Sequence, residues 1–305
     1  MRHYIFSSTL GLFLLAALQF LTLSSSNQDL RIYFLDVGQG DAILLRYPTG
    51  EDLLIDTGKD SKVFRELDKV LPWYDKKIDY VLLTHGDLDH LGAMSDILDR
   101  YSIKKVFVSN VFGKIEVEQN ITEKLKNKNE KLEVLEKGNV LTFGASVSNS
   151  FNIIHPDKNC FEKHKNENDC SLVALIKYGE KSFLMTGDIS SEIESELLGL
   201  IPEDITLLKV AHHGSKYSSS DEFISKIKPE YSIISVGENS YGHPHSDVLK
   251  RLQSASSTIW NTKEVATIVA TSDGTSLTVE KLFDQARFFQ SGVCSILLYG
   301  FDTPC

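Results

Sequence analysis

The residues best placed to do chemistry are Thr84-His85-Gly86-Asp87-Leu88-Asp89-His90-Leu91-Gly92, where four metal-ligand side chains fall within six positions. Imidazole nitrogen mixed with carboxylate oxygen suits a divalent cation such as Zn or Mn. A solvated turn would mix in Lys, Asn or Ser; this one does not. Three more polar sites end apolar runs in the same way: Asp188 in Met185-Thr186-Gly187-Asp188, His212 and His213 in Val210-Ala211-His212-His213-Gly214-Ser215, and His243 and His245 in Tyr241-Gly242-His243-Pro244-His245. Asp188 is suited to bridging two cations, although alone it reads equally as a helix N-cap. Of nine histidines, seven lie outside the N-terminal segment and the 160–170 loop, and six of those seven sit in these motifs. Such clustering points to one centre.

The elements that must position these side chains are short and apolar. Strands are expected at 30–35, 42–45, 52–55, 80–83, 106–108, 151–154, 172–176, 183–185, 207–211, 231–236 and 267–270. Helices are expected at 63–70, 91–101, 191–198, 221–227 and 247–252, and the Lys/Glu-rich stretch 116–137 reads as an exposed helix with a solvated face. No Pro/Ser-rich linker interrupts residues after 28, so one α/β domain with two sheets is expected over 28–282, followed by a tail at 283–305. The Gly38-Gln39-Gly40 turn lacks the Lys of a phosphate-binding loop. It reads as a tight connection beside the centre, with Asp36, Asp41 and Asp56 orienting ligands or backbone. His155 reads as a surface residue.

Residues 1–27 are of another kind. After Arg2 the chain runs apolar and uncharged from Ile5 to Leu23. Nineteen helical residues span roughly 28 Å, close to a bilayer's hydrocarbon core. An uncleaved membrane anchor with an extracytoplasmic domain is expected, a cleaved signal or a core helix being the rivals. Cys160 with Cys170, and Cys294 with Cys305, would close two short loops as staples of an oxidising compartment. With 32 Lys+Arg against 42 Asp+Glu the net charge is −10, which argues against binding driven by a broad basic surface. Lys209, Lys216 and Lys226 are the basic candidates near the motifs.

THGDLDHLG resembles the HxHxDH signature of the metallo-β-lactamase superfamily. Together with LDVGQGDAILL, LLIDTG, CSLVALIKYGEKSFLMTGD, LLKVAHHGSKYSSS and IISVGENSYGHPHSDVL, it resembles the extracytoplasmic C-terminal domain of the ComEC competence-protein family, from about Leu30 to Val279. The resemblance implies a four-layered αββα sandwich with a dinuclear site. One cation would take His85 and Asp87, the other Asp89, His90 and His243, with Asp188 bridging; His212 and His213 would face the substrate. Asp87 stands where most of the superfamily has a second His, and no His appears near 168–171, which leaves the first set oxygen-rich and favours Mn or a loosely held Zn. The implied activity is phosphodiester hydrolysis, with single-stranded or nicked DNA as substrate and a membrane translocase as partner. The rivals are a choline-phosphate-type esterase and a non-catalytic component that holds DNA.

Overall fold

The computed structural model describes residues 29–143 and 149–282. In chain order the first sheet begins with β1 (Leu30–Phe34), β2 (Ile43–Arg46) and β3 (Asp52–Ile55), then α1 (Lys62–Val70), β4 (Lys77–Leu83), α2 (Leu88–Leu91), α3 (Met94–Arg100), β5 (Ser102–Ser109), α4 (Glu116–Asn127) and β6 (Lys131–Leu135). The second sheet follows with β7 (Val140–Leu141), β8 (Asn149–His155), α5 (Cys160–His164), β9 (Val173–Tyr178), β10 (Lys181–Met185), α6 (Ser191–Leu197), β11 (Leu207–Lys209), α7 (Asp221–Ile227), β12 (Tyr231–Ile234), α8 (Ser246–Ser254) and β13 (Thr258–Asn261). The short α9 (Thr262–Val265) leads back to the first sheet, which β14 (Ile268–Ser272) and β15 (Leu277–Lys281) complete.

The strand orders are β15-β14-β1-β2-β3-β4-β5-β6 and β13-β12-β11-β10-β9-β8-β7. Between the sheets lies a core that includes Phe34, Phe107, Phe151, Phe183 and Leu207. The first sheet's other face is covered by Val63 and Leu67 of α1, Ile97 and Leu98 of α3, and Ile121 and Leu125 of α4. The second sheet's other face is covered by Ile193 and Leu197 of α6, Phe223 and Ile224 of α7, and Val248 and Leu252 of α8. These are the four layers αββα. Strands covered on both faces carry continuous apolar runs, as in the fully buried β3.

Parallel pairing decides where the site can be. β3, β4, β5 and β6 run parallel in one sheet, and β10, β11, β12 and β13 in the other. Open parallel sheets place ligands outside the carboxyl ends of their strands. Asp56 follows β3, His85 follows β4, Asp188 follows β10 and His212 follows β11.

Several expectations need correction. The stretch 116–137 is not one helix: α4 stops at Asn127, Asn129 takes a left-handed φ of 56°, and Lys131–Leu135 pairs as an edge strand. Its exposed pattern carries no clear period of two, so the Lys/Glu content dominated the reading. The expected 91–101 helix is two helices broken at Gly92, where a Cβ would lie 2.4 Å from the Lys59 carbonyl oxygen. The 160–170 loop contains α5 and a 3-10 turn at Asn168–Cys170, and Cys160–Cys170 is disulfide-bonded. His155 is buried, not a surface residue: its Nε2 lies 2.7 Å from the Asp169 carbonyl oxygen. The expected anchor and the Cys294–Cys305 pair lie outside the described residues. Among the described residues no helix is long and apolar enough to cross a membrane.

Candidate metal centre

Backbone and carboxylate contacts fix the motif loop from below. At the end of β3, Asp56 accepts from the Thr84 backbone N–H at 2.8 Å and from the Thr84 hydroxyl at 2.7 Å. The same carboxylate accepts from His90 Nδ1 at 2.8 Å. Asp56 therefore orients one end of the loop and one imidazole at once. Since a carboxylate only accepts, the His90 proton sits on Nδ1 and its Nε2 presents a lone pair. His213 is held alike, with Nδ1 donating to the Ser235 carbonyl oxygen at 2.8 Å.

Those two held imidazoles face each other. His90 Nε2 and His213 Nε2 lie 3.3 Å apart. Asp188 Oδ2 is 3.3 Å from each of them, and Asp89 Oδ2 is 3.4 Å from His213 Nε2. Two lone pairs and two carboxylate oxygens converge on one point, an arrangement that needs a cation or extra protons there. Asp89, His90 and His213 have ligand atoms within 4.8 Å of one another, as do His85, His90 and Asp188, and Asp41, Asp188 and His213. His85 Nε2 and Asp188 Oδ1 are buried with no hydrogen-bond partner among the described residues. Asp87, about half exposed, places Oδ2 3.7 Å from His85 Nε2. The donor set fits divalent metal.

The electrostatics point the same way. Asp41, Asp56, Asp87, Asp89 and Asp188 surround the point, and one lysine, Lys209, lies among them, with Nζ 2.5 Å from Asp41 Oδ2 and 3.8 Å from Asp188 Oδ1. Burial pushes the His213 imidazole down, but Asp188, Asp89 and Asp41 outweigh it and lift its pKa to about 9. Burial likewise opposes the charge on Asp188, yet His213 and His90 hold its carboxyl well below the usual range. The imidazoles thus carry protons in place of a cation, and metal entry must displace them.

Four of the six ligand candidates, His85, Asp89, His90 and Asp188, fall in these groups, and Asp87 lies beside His85. His243, like Asp87, is in none of the metal-capable groups; its ring lies 5.6 Å from that of His212, and its Nδ1 is buried with no hydrogen-bond partner among the described residues. His213, expected to face the substrate, lies among Asp89, His90 and Asp188. His212, one-third exposed, puts Nε2 3.9 Å from Asp188 Oδ2. Both His212 and His213 hold left-handed φ values, 50° and 54°. Non-glycine residues in that region cost about 1–3 kcal/mol each and cluster at functional sites. Lys209 is a further correction: it is 1% exposed and contributes no basic surface.

One glycine controls the loop's height. Gly40, at φ 124°, packs so tightly that a Cβ would lie 2.1 Å from the Asp89 carbonyl oxygen. Gly40→Ala must push Asp89 outward, and misplacement by about 1 Å can cost on the order of a hundredfold in rate. We expect a loss of that size in the metal-dependent turnover of the centre, together with a lowered unfolding midpoint, because Ala is strained at φ 124°. An unchanged kcat would remove the positioning role.

The chain is similar to known proteins over most of its length. A model of the "Metallo-beta-lactamase superfamily" matches residues 35–238. ComE operon protein 3 of Bacillus subtilis is 31% identical over 253 residues, covering 77% of this chain and 32% of that protein. Recombination protein 2 of Haemophilus influenzae is 30% identical over 267 residues, covering 86% and 31%. The chain thus spans about a third of the length of these relatives. Among solved structures, a CmlA beta-hydroxylase mutant matches with a TM-score of 0.52 at 14% identity, covering 81% of this chain and 54% of that one. A long form RNase Z from yeast matches at 0.51 and 12%, covering 88% and 44%. These last two likenesses bear on the fold alone.

Proposed function

Because the chain belongs to the metallo-β-lactamase superfamily, we propose that it is a metal-dependent hydrolase that cleaves phosphodiester bonds, with DNA as substrate. The observation that carries the reading is the mouth of the centre. His212, Ser215, Lys216, Tyr217, Tyr241, His243 and His245 line a cavity of about 420 Å³, and none of them is acidic. A cationic or neutral mouth beside five carboxylates admits an anionic ester. The name of one relative, Recombination protein 2, supports DNA.

His85 and Asp87 would hold one cation, Asp89, His90 and His213 the other, with Asp188 shared; His213 takes the place that His243 has in the expectation. Zn or Mn would suit, the oxygen-rich first set favouring Mn. Bound there, such cations would supply a hydroxide at neutral pH and would take up charge developing on a phosphoryl oxygen. The protein's own groups do the rest. Burial lowers the His212 pKa, and the imidazole N–H can donate a hydrogen bond to the phosphoryl oxygen. Asp56 fixes His90, and Lys209 neutralises Asp41.

A DNA-uptake setting with a membrane translocase as partner belongs to the same proposal, as does an extracytoplasmic location, which the Cys160–Cys170 disulfide supports. The test is hydrolysis of bis(p-nitrophenyl) phosphate and labelled single-stranded DNA by the full chain with Mn or Zn, beside Asp89→Ala. Metal-dependent cleavage that falls by at least about a hundredfold in the variant is expected. Bound metal without turnover on either substrate would leave a DNA-holding role in its place.

A further inference from the structure

The mouth carries two features that phosphodiester hydrolysis alone does not require. Tyr217 and Tyr241, on its rim, are 66% and 74% exposed; among the described residues Trp73 and Tyr74, away from the cavity, are comparably exposed. A run of rings leads from the centre to one of them. His213 and His212 are 6.2 Å apart by centroid, His212 and His243 5.6 Å, and His243 and Tyr241 5.8 Å. Across the cavity Lys216 Nζ stands 4.9 Å from the Tyr217 ring centroid.

The loop bearing Tyr241 is held in place. Asn239 Oδ1 accepts from the Tyr241 and His243 backbone N–H groups at 3.1 and 3.0 Å. Its Nδ2 donates to the His243 and Gly237 carbonyl oxygens at 2.8 and 2.9 Å. The ring is thus presented from a braced turn, which lowers the entropy lost on binding.

We propose that Tyr217 and Tyr241 are stacking platforms for the bases of a single-stranded nucleic acid whose phosphodiester lies over the metal centre. This deepens the phosphodiesterase reading and rests on it. Exposed aromatic faces beside positive charge, here that of Lys216, are a means by which single strands are held without regard to sequence, whereas a duplex keeps its bases stacked on each other. Two exposed tyrosines would also suit a quaternary ammonium group, but the lining argues otherwise. A cation, Lys216, already stands over Tyr217, and no lining carboxylate is available to pair with a second one. An anion bearing a π-face is the better match.

Three probes decide it, each read by fluorescence anisotropy with the full chain in chelator: a short labelled oligothymidylate, an abasic strand of equal length, and a duplex. The wild type is expected to bind the oligothymidylate at least about tenfold more tightly than the abasic strand or the duplex. Tyr241→Ala and Tyr217→Ala should each lose about tenfold on oligothymidylate and nothing on the abasic strand, while the Phe variants keep wild-type affinity. Equal binding of the base-bearing and abasic strands by the wild type overturns the proposal. So does undiminished affinity in both Ala variants, or displacement of the oligomer by phosphocholine in preference to thymidine monophosphate. Metal-dependent hydrolysis of bis(p-nitrophenyl) phosphate by a wild type that shows no base-dependent binding would sink the stacking platforms and leave the phosphodiesterase standing. Base-dependent binding without turnover on any phosphodiester would do the reverse.

Discussion

Asp188→Ala is expected to lower metal-dependent phosphodiester cleavage by about a thousandfold or more, the largest effect on activity of any single change in the centre. Asp188 is the residue whose carboxylate reaches both sides, within 3.3 Å of His90 Nε2 and of His213 Nε2, and it shares a metal-capable group with His85. Asp188→Asn keeps the shape and removes the charge, so a comparable loss there assigns the effect to charge. Activity that survives in Asp188→Asn with both cations retained would refute a shared-ligand role.

The same residue sets a pH signature that can be read without turnover. A carboxylate whose folded pKa is lowered, as that of Asp188 is, adds stability above its unfolded pKa of about 3.9 and loses it on acidification. An imidazole lifted to about 9, as His213 is, adds stability below its unfolded value of about 6.5 and loses it as the pH rises through the folded one. In chelator, the urea midpoint should therefore be highest between about pH 4 and 6.5 and should decline from there towards pH 9. After burial, which acts in the opposite direction, Asp188 is the largest influence on His213, so the decline should flatten in Asp188→Ala.

How much of this was legible follows from where each residue sits. The ligand motifs could be read because each terminates an apolar parallel strand, and the carboxyl ends of such strands meet in space. Asp56 could be assigned an orienting task for the same reason, following Leu53-Leu54-Ile55 directly. The resemblance implied His243 for the second cation, and the residue types alone do not separate it from His213, because both follow strands in His-rich loops. What turns His213 inward is a pair of left-handed backbone conformations at His212 and His213, and nothing in the two residue types announces them. β6 was missed since Lys131–Leu135 is an exposed edge whose charges favour a helical reading. β13 and β15 were missed as short strands with mixed burial. The stacking tyrosines carry no pattern at all in one dimension: Tyr217 and Tyr241 come together only because their loops follow adjacent parallel strands, β11 and β12.

Lys209 was the residue hardest to see, and its replacement should have the largest effect on stability. In the sequence it interrupts Leu207-Leu208 and Val210-Ala211, where a lysine reads as a solvated end. In the fold it is buried, with Nζ 2.5 Å from Asp41 Oδ2, 3.8 Å from Asp188 Oδ1 and 3.4 Å from the Gly187 carbonyl oxygen. Burial acts to lower its pKa, but Asp41 and Asp188 raise it above the usual lysine value, so the ammonium stays charged. Removing one partner of a buried ion pair leaves the other charge uncompensated, at a cost of about 3–5 kcal/mol. Lys209→Met should lose that much by urea unfolding in chelator, because buried Asp41 then loses its nearest cation and only the imidazoles of His90 and His213 remain to offset Asp41 and Asp188. Replacing both partners is a different matter, since an apolar pair of similar volume is often neutral. Lys209→Met combined with Asp41→Leu should therefore recover most of the loss. If the double variant is no more stable than the single one, Lys209 acts by packing rather than by neutralising Asp41. Added Mn or Zn should narrow the gap between Lys209→Met and wild type, since a cation bound at Asp188 supplies part of the missing charge and stabilises whichever fold holds it more tightly.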